Sequence, residues 1–263
     1  MKNHFFIPYF GNKRSEVEEI YKNINLDGIE NIIEPFCGTC AFSYYLSTLH
    51  PKKFKYILND ANIYIIELLN IAKDKNKLKK LNDDINNIVF KNNIFIDKES
   101  YNKIVKEKNL VSYMISNKFY CIRPGLWPND SRFNKINLED SPIIKFLREE
   151  DVETSNIDGI QIIEEFKSFD DCLIFLDPPY MMTQNSFYNE EIHQKNTNKK
   201  YLNVYEYLYN NNIKNFNSKV YLVLEDIWII RLLFNQFKDT FIQYNKKYQT
   251  TKKNTFHLLI KNK

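Results

Sequence analysis

An α/β fold is what this sequence predicts: a mainly parallel sheet, an antiparallel C-terminal hairpin and an inserted, mostly helical subdomain. Three observations lead there. Two strand–turn–helix units open the chain, at 31–49 and 55–73, each with a short apolar strand followed by a helical stripe. An apolar run of strand length, Cys172–Leu176, ends in Asp177-Pro178-Pro179-Tyr180. Strands and helices then alternate to the C-terminus, whereas from Lys73 to Phe169 no clean alternation is visible. The expected division is therefore a main domain in two segments, 1–75 and 169–263, interrupted by an inserted subdomain at 76–168.

Composition narrows the class. A chain of 263 residues, 43% hydrophobic and 27% charged, has the make-up of an ordinary folded protein. The net charge of +4 permits a polyanionic partner without requiring one. No window reaches the roughly 18 apolar residues of a membrane span, and the opening MKNHFFIPYFGNKR is too short in apolar residues for a signal peptide. The expectation is an intracellular, cytoplasmic protein with reduced thiols and no membrane association. Cys37, Cys40, Cys121 and Cys172 lack the two-pair spacing of a zinc site, so no metal is expected. Five glycines stand where average usage would give roughly 18. Gly11 and Gly38 each fall in a motif, where a turn needs the conformational freedom.

Taken in order, Tyr9 to Lys13 reads as a loop running into a helix. Ser15 and Glu18 have capping-box spacing, and Val17, Ile20, Tyr21 and Ile24 form the apolar stripe. Asn31–Glu34 is a short strand, Pro-Phe-Cys-Gly-Thr-Cys a turn, and Ala41–Leu49 a helix. That order presents backbone N–H groups and a helix N-terminus to a cofactor. Lys55–Asp60 is a strand ending in an acid, at the roughly 20-residue spacing after the glycine turn that suits a ribose diol. A helix N-cap is the other role for Asp60. Within the insertion, Lys118, Phe119, Tyr120, Arg123, Trp127, Arg132 and Phe133 interleave basic and aromatic side chains. Such a pattern fits phosphate and base contacts, and equally the core of a small subdomain. A long polar stretch, Met181–Lys200, follows the strand end. Then come a helix (201–216), a strand (220–226), a helix (228–237) and two strands, 241–244 and 255–260, around the turn TTKKN.

The strand end is where chemistry is legible. Residues before proline are pushed to extended geometry, so Asp177-Pro178-Pro179 is a stiff arm with carbonyls held outward. An amino group on an aromatic ring is a poor nucleophile because its lone pair is delocalised. Two acceptors aimed at its hydrogens, the Asp177 carboxylate and the Pro178 carbonyl, favour a pyramidal nitrogen able to attack. Tyr180, pushed out over the sheet edge, would stack on the ring, worth roughly 1–3 kcal/mol.

PYFGNK, EPFCGTCAF and DPPY, in this order, resemble the Dam-like (alpha-group) adenine-specific DNA methyltransferases. The resemblance implies a Rossmann-like S-adenosylmethionine-dependent methyltransferase sheet and an insertion that recognises the target. It implies methylation of the exocyclic 6-amino group of an adenine flipped out of double-stranded DNA. Carried over position by position, Tyr9, Lys13, Glu34, Phe36, Gly38, Asp60 and Asp177 would bind S-adenosylmethionine, with Lys13 near the target base and Asp60 on the ribose hydroxyls. Asp177, Pro178, Pro179 and Tyr180 would form the catalytic loop. Arg123, Trp127, Arg132 and Phe133 occupy the place of the family's DNA-reading hairpin. A homodimer or a partner subunit is compatible with the pattern.

Two positions depart from it. Asn12 replaces a usual glycine, and Cys40 replaces the second glycine of the turn. A cysteine there crowds the methionine end of the cofactor unless the backbone is already helical. These departures leave a catalytically weak or inactive DNA-binding subunit as one alternative. Cys37-Gly-Thr-Cys40, opening a helix after a strand, leaves a thiol–disulfide oxidoreductase as another.

Overall fold

The structure is a computed structural model and describes residues 5–7, 13–91, 94–104, 106–120, 135–180, 197–247 and 254–262. In chain order the elements are α1 (Val17–Tyr21), β1 (Asn31–Glu34), α2 (Ala41–Leu49), β2 (Lys55–Asn59), α3 (Ile63–Lys73), α4 (Lys75–Val89), β3 (Phe90–Lys91), β4 (Ile94–Phe95), α5 (Lys98–Ile104), α6 (Leu110–Tyr120), α7 (Ile143–Glu149), β5 (Asp151–Ser155), α8 (Gly159–Phe166), β6 (Cys172–Leu176), α9 (Thr197–Asn210), β7 (Lys219–Glu225), α10 (Trp228–Leu233), β8 (Ile242–Lys247) and β9 (Asn254–Lys261). The chain divides into two compact units. One holds the described residues of 12–62 and 150–263, the other those of 2–11 and 63–149.

The first unit is built on a seven-stranded sheet in the order β5-β2-β1-β6-β7-β9-β8. The first five strands run parallel, and β9 is antiparallel to both β7 and β8. This is the expected mainly parallel α/β sheet with an antiparallel C-terminal hairpin. Strands buried on both faces need continuous apolar sequence, and β6 is buried at every position. Its alternate residues serve two layers. Cys172, Ile174 and Leu176 join Ile33, Leu222 and Ile260 in a core completed by Ile162 and Ile163 of α8 and Leu208 of α9. Phe175 faces the other way and stacks on Phe42 of α2, with ring centroids 4.1 Å apart.

The sheet resumes earlier than the sequence suggested. β5 pairs with β2 from Lys55↔Asp151 to Asn59↔Ser155, inside the stretch that showed no alternation. The reason is its position. As an edge strand with one neighbour it carries Asp151 and Glu153 and is partly exposed throughout, so it lacks the apolar run that reveals β6.

The second unit is mostly helical. Leu78, Leu81, Ile85 and Val89 bury one stripe of α4, and Asp74 caps that helix by accepting from Asn76 N and Lys77 N. Ile143, Ile144, Phe146 and Leu147 of α7 are buried as well. Arg148 clamps the end of α3, donating to the Ala72 carbonyl at 2.9 Å while pairing with Glu139 at 3.2 Å. Among the described residues no helix is long and apolar enough to cross a membrane.

Candidate active site

Chain order reverses at one place in the sheet. β1 leads to β2 and β5 on one side, while β6 and β7 lie on the other. In open α/β sheets, ligands bind beyond the carboxyl ends of the strands at such a switch point. Here those ends carry Glu34 and the glycine turn after β1, Asp60 after β2, and Asp177–Tyr180 after β6.

The turn after β1 is shaped by backbone. Gly38 (φ 47°) and Cys40 (φ 54°) both lie in the left-handed region, where a side chain costs roughly 1–2 kcal/mol. Cys40 is nonetheless a fully buried cysteine, and it is the N-cap of α2. So its backbone is not helical in the ordinary right-handed sense, and its conformation is the kind that favours glycine. Asp60 fastens the turn. One carboxylate oxygen accepts from Gly38 N at 2.8 Å and the other from Asn62 N at 2.8 Å. Asp60 is thus tied to the glycine turn, and its bond to Asn62 N is a local turn. Each oxygen keeps acceptor capacity, since a carboxylate has about four lone-pair sites.

Asn59, fully buried, completes the frame. Its amide donates to the carbonyls of Pro35 and Ile157, and its oxygen accepts from Ser155 Oγ and Ile157 N. Phe36 packs against the start of α8. A Cβ added at Gly159 would sit 2.7 Å from Phe36 Cζ, so this glycine makes room for the ring.

Glu34 is buried behind the turn and accepts from both Ser43 N, at 2.9 Å, and Ser43 Oγ. Burial pushes its carboxyl up to about 7, against the lowering effect of the Ser43 bonds and with help from the Asp177 and Asp60 charges. Burial likewise raises Asp60. A site with carboxyl groups at three strand ends favours a positively charged occupant.

The strand end after β6 is braced by side chains from distant parts of the chain. Lys13 Nζ lies 2.6 Å from Asp177 Oδ1, with the lysine side chain 4% and the aspartate 17% exposed. The same ammonium sits over the Tyr180 ring, 4.8 Å from its centroid. Tyr205 Oη donates to the Pro179 carbonyl at 3.2 Å, fixing the second proline. Tyr180 is buried, with its ring edge-on to His257 at 5.2 Å, so it does not project over the sheet edge. Burial, with Asp177 and Glu16 nearby, pushes its hydroxyl well up and keeps it neutral.

The structure thus brings together Lys13, Glu34, Phe36, Gly38, Asp60, Asp177, Pro178, Pro179 and Tyr180 within the first unit. Tyr9, Arg123, Trp127, Arg132 and Phe133, and the departing Asn12, lie outside the described residues. The capping box at Ser15 does not form. Glu16 is the N-cap of α1 and makes no side-chain cap, because its carboxylate turns inward to Tyr244 and His257. Sequence reading also missed Asn59, Gly159 and Tyr205. Only Gly159 carried a signal, as one of five glycines.

The cysteine pair has the wrong character for redox chemistry. Cys37 and Cys40 are both buried, and burial pushes the Cys37 thiol well up. A reactive pair needs a depressed thiol and access.

The sequence model of the D12 class N6 adenine-specific DNA methyltransferases matches residues 9–123. A Haemophilus influenzae protein named "Putative methyltransferase" is 26% identical over 200 residues, which cover 70% of this chain and 66% of that protein. The chain spans just under two thirds of that relative's length.

Proposed function

We propose that this chain, whose residues 9–123 match the sequence model of the D12 class N6 adenine-specific DNA methyltransferases, is a member of that family and methylates the 6-amino group of adenine in double-stranded DNA. The observation that carries the reading is the switch point. β2, β1 and β6 are adjacent and parallel, so Asp60, the Gly38 turn and Asp177-Pro178-Pro179-Tyr180 share one edge of the sheet.

The residues present fit S-adenosylmethionine. Asp60 has spare acceptor capacity for ribose hydroxyls, Gly38 leaves room for close approach, and the carboxyl cluster suits a cationic ligand. When bound, that cofactor supplies an electrophilic methyl group. This chain's residues prepare the acceptor. Asp177 and the Pro178 carbonyl accept the two amino hydrogens and so localise the nitrogen lone pair. Tyr180, its hydroxyl kept neutral, offers the base the ring face that Lys13 covers until the base enters. Lys13 holds the Asp177 carboxylate in place, and Asp177 exchanges that ammonium for the amino group when the base enters. To the helical unit we assign target recognition, with Arg123, Trp127, Arg132 and Phe133 as its DNA contacts.

The test is incubation with labelled S-adenosylmethionine and a mixed-sequence duplex, with RNA of the same sequence in parallel, followed by nucleoside analysis and site mapping. Label in N6-methyladenine of the duplex is the expected result. Cofactor binding without transfer to any substrate would favour a DNA-binding subunit instead.

A further inference from the structure

A buried acid and a buried imidazole lie behind the strand end, and nothing in the methyl-transfer reading uses them. Glu16 and His257 are 2% and 1% exposed, and His257 Nδ1 lies 2.7 Å from Glu16 Oε2. The same oxygen accepts from Tyr244 Oη at 3.0 Å. Tyr244 and His257 face each other directly across the β8–β9 ladder. A carboxylate this close assigns the Nδ1 proton to the His257–Glu16 bond. The Tyr180 hydroxyl, 3.4 Å from the same nitrogen, is therefore a neighbour and not the principal partner, and the two rings meet edge to face at 84°.

Glu16 is also joined to the other side of the acceptor site. Its N–H, and that of Val17, donate to the Lys13 carbonyl at 2.8 Å. Lys13 in turn reaches Asp177 and covers the Tyr180 ring. The contacts close a circuit: Asp177, Lys13, Glu16, His257 and Tyr180. Buried pairs of polar groups contribute little net stability, because desolvation offsets most of the attraction, and apolar replacements of the same shape are often neutral. Stability alone is a weak reason for this pair at this place.

We propose that Glu16 and His257 form a buried brace, completed by Tyr244, that positions Lys13 and Tyr180 for the incoming amino group. The C-terminal hairpin is then part of the reaction centre without touching substrate. All three are positioning residues; they act through Lys13 and Tyr180. The inference rests on the methyl-transfer reading for its consequence, but not for its geometry.

The test separates the two. In a triple variant, Glu16→Met, Tyr244→Phe and His257→Phe, the polar members leave together and the ring against Tyr180 is kept. Acylation of Lys13 by an N-hydroxysuccinimide ester, followed by peptide mass spectrometry, reports the position of Lys13 without any activity. We expect a rate at least about ten-fold above wild type, as local opening becomes easier. We also expect kcat for methyl transfer to fall roughly 100-fold, the cost of misplaced reacting groups, with the cofactor Kd and thermal midpoint little changed. A folded triple variant with wild-type Lys13 reactivity would overturn the brace. Should the triple variant fail to fold, Glu16→Gln carries the test: an isosteric neutral partner should raise Lys13 acylation about three-fold or more, and an unchanged rate overturns the proposal. If wild type transfers no methyl group, the functional reading fails, while the Lys13 rates still decide the brace.

Discussion

Two neighbouring strand ends in this protein are held in shape by different means. The turn after β1 is fixed through its backbone groups: positive φ at Gly38 and Cys40, an N–H from Gly38 to the Asp60 carboxylate, and the buried Asn59 amide bonded to the Pro35 and Ile157 carbonyls. The strand end after β6 is fixed by side chains from Lys13, Tyr205 and His257, which are far apart in sequence. A backbone-built turn has few alternative arrangements and suits a ligand bound in the same way each cycle. A strand end built on exchangeable side-chain contacts suits a group that must accept a new partner, and the Lys13–Asp177 pair is such a contact.

The comparison can be broken at several points. The largest effect is expected at Asp177. Removing one preorganised contact costs about 10²–10³ in rate, so Asp177→Ala should lower single-turnover methyl transfer by at least that much.

Glu34 comes next and tests the other strand end through pH. Its carboxyl is pushed up to about 7 by burial, against an ordinary value of about 4.3 in an unfolded chain. Between those values the folded protein holds the extra proton, so stability is fully present at low pH and is lost as pH rises through 7. The loss is on the order of 3 kcal/mol. Thermal midpoints at pH 5 and pH 8 should diverge for wild type, and the divergence should shrink in Glu34→Gln.

Gly159→Ala would drive a methyl into the Phe36 ring. Overpacking of this kind costs typically 1–3 kcal/mol, readable in denaturant unfolding, and it should weaken cofactor binding without touching the acceptor loop.

The smallest effect sharpens the backbone argument. Cys40→Gly relieves roughly 1–2 kcal/mol of left-handed strain but loses a buried thiol, so its unfolding free energy should stay within about 1 kcal/mol of wild type. Cys40→Val, β-branched at positive φ, should be clearly less stable than Cys40→Gly in the same measurement.

The difference between the regions also explains what was legible in the sequence. The glycine turn, Asp60 and the Asp-Pro-Pro-Tyr loop are local patterns whose spacing alone carries their meaning. β6 could be read because burial on both faces demands an unbroken apolar run, and the closing hairpin because its two strands flank a clear turn. β5 was hidden because an edge strand such as Asp151–Ser155 needs no such run. Glu16, Tyr244 and His257 left no local trace at all. Each is an ordinary polar residue until the fold sets β8 and β9 against the start of α1. Glu16 was hidden further because the capping pattern around it drew on Ser15 and Glu18 and gave it no role.

The central claim is that one strand end serves the cofactor and its neighbour serves the acceptor. Calorimetric titration of S-adenosylmethionine into Asp60→Ala and Asp177→Ala, read beside their single-turnover rates, tests it most directly. Asp60→Ala should raise Kd by about 10- to 100-fold, the worth of a hydrogen bond to a charged group, and recover much of its rate at saturating cofactor. Asp177→Ala should bind within a few fold of wild type and show no recovery. Loss of cofactor binding in Asp177→Ala, with unchanged binding in Asp60→Ala, would contradict the account.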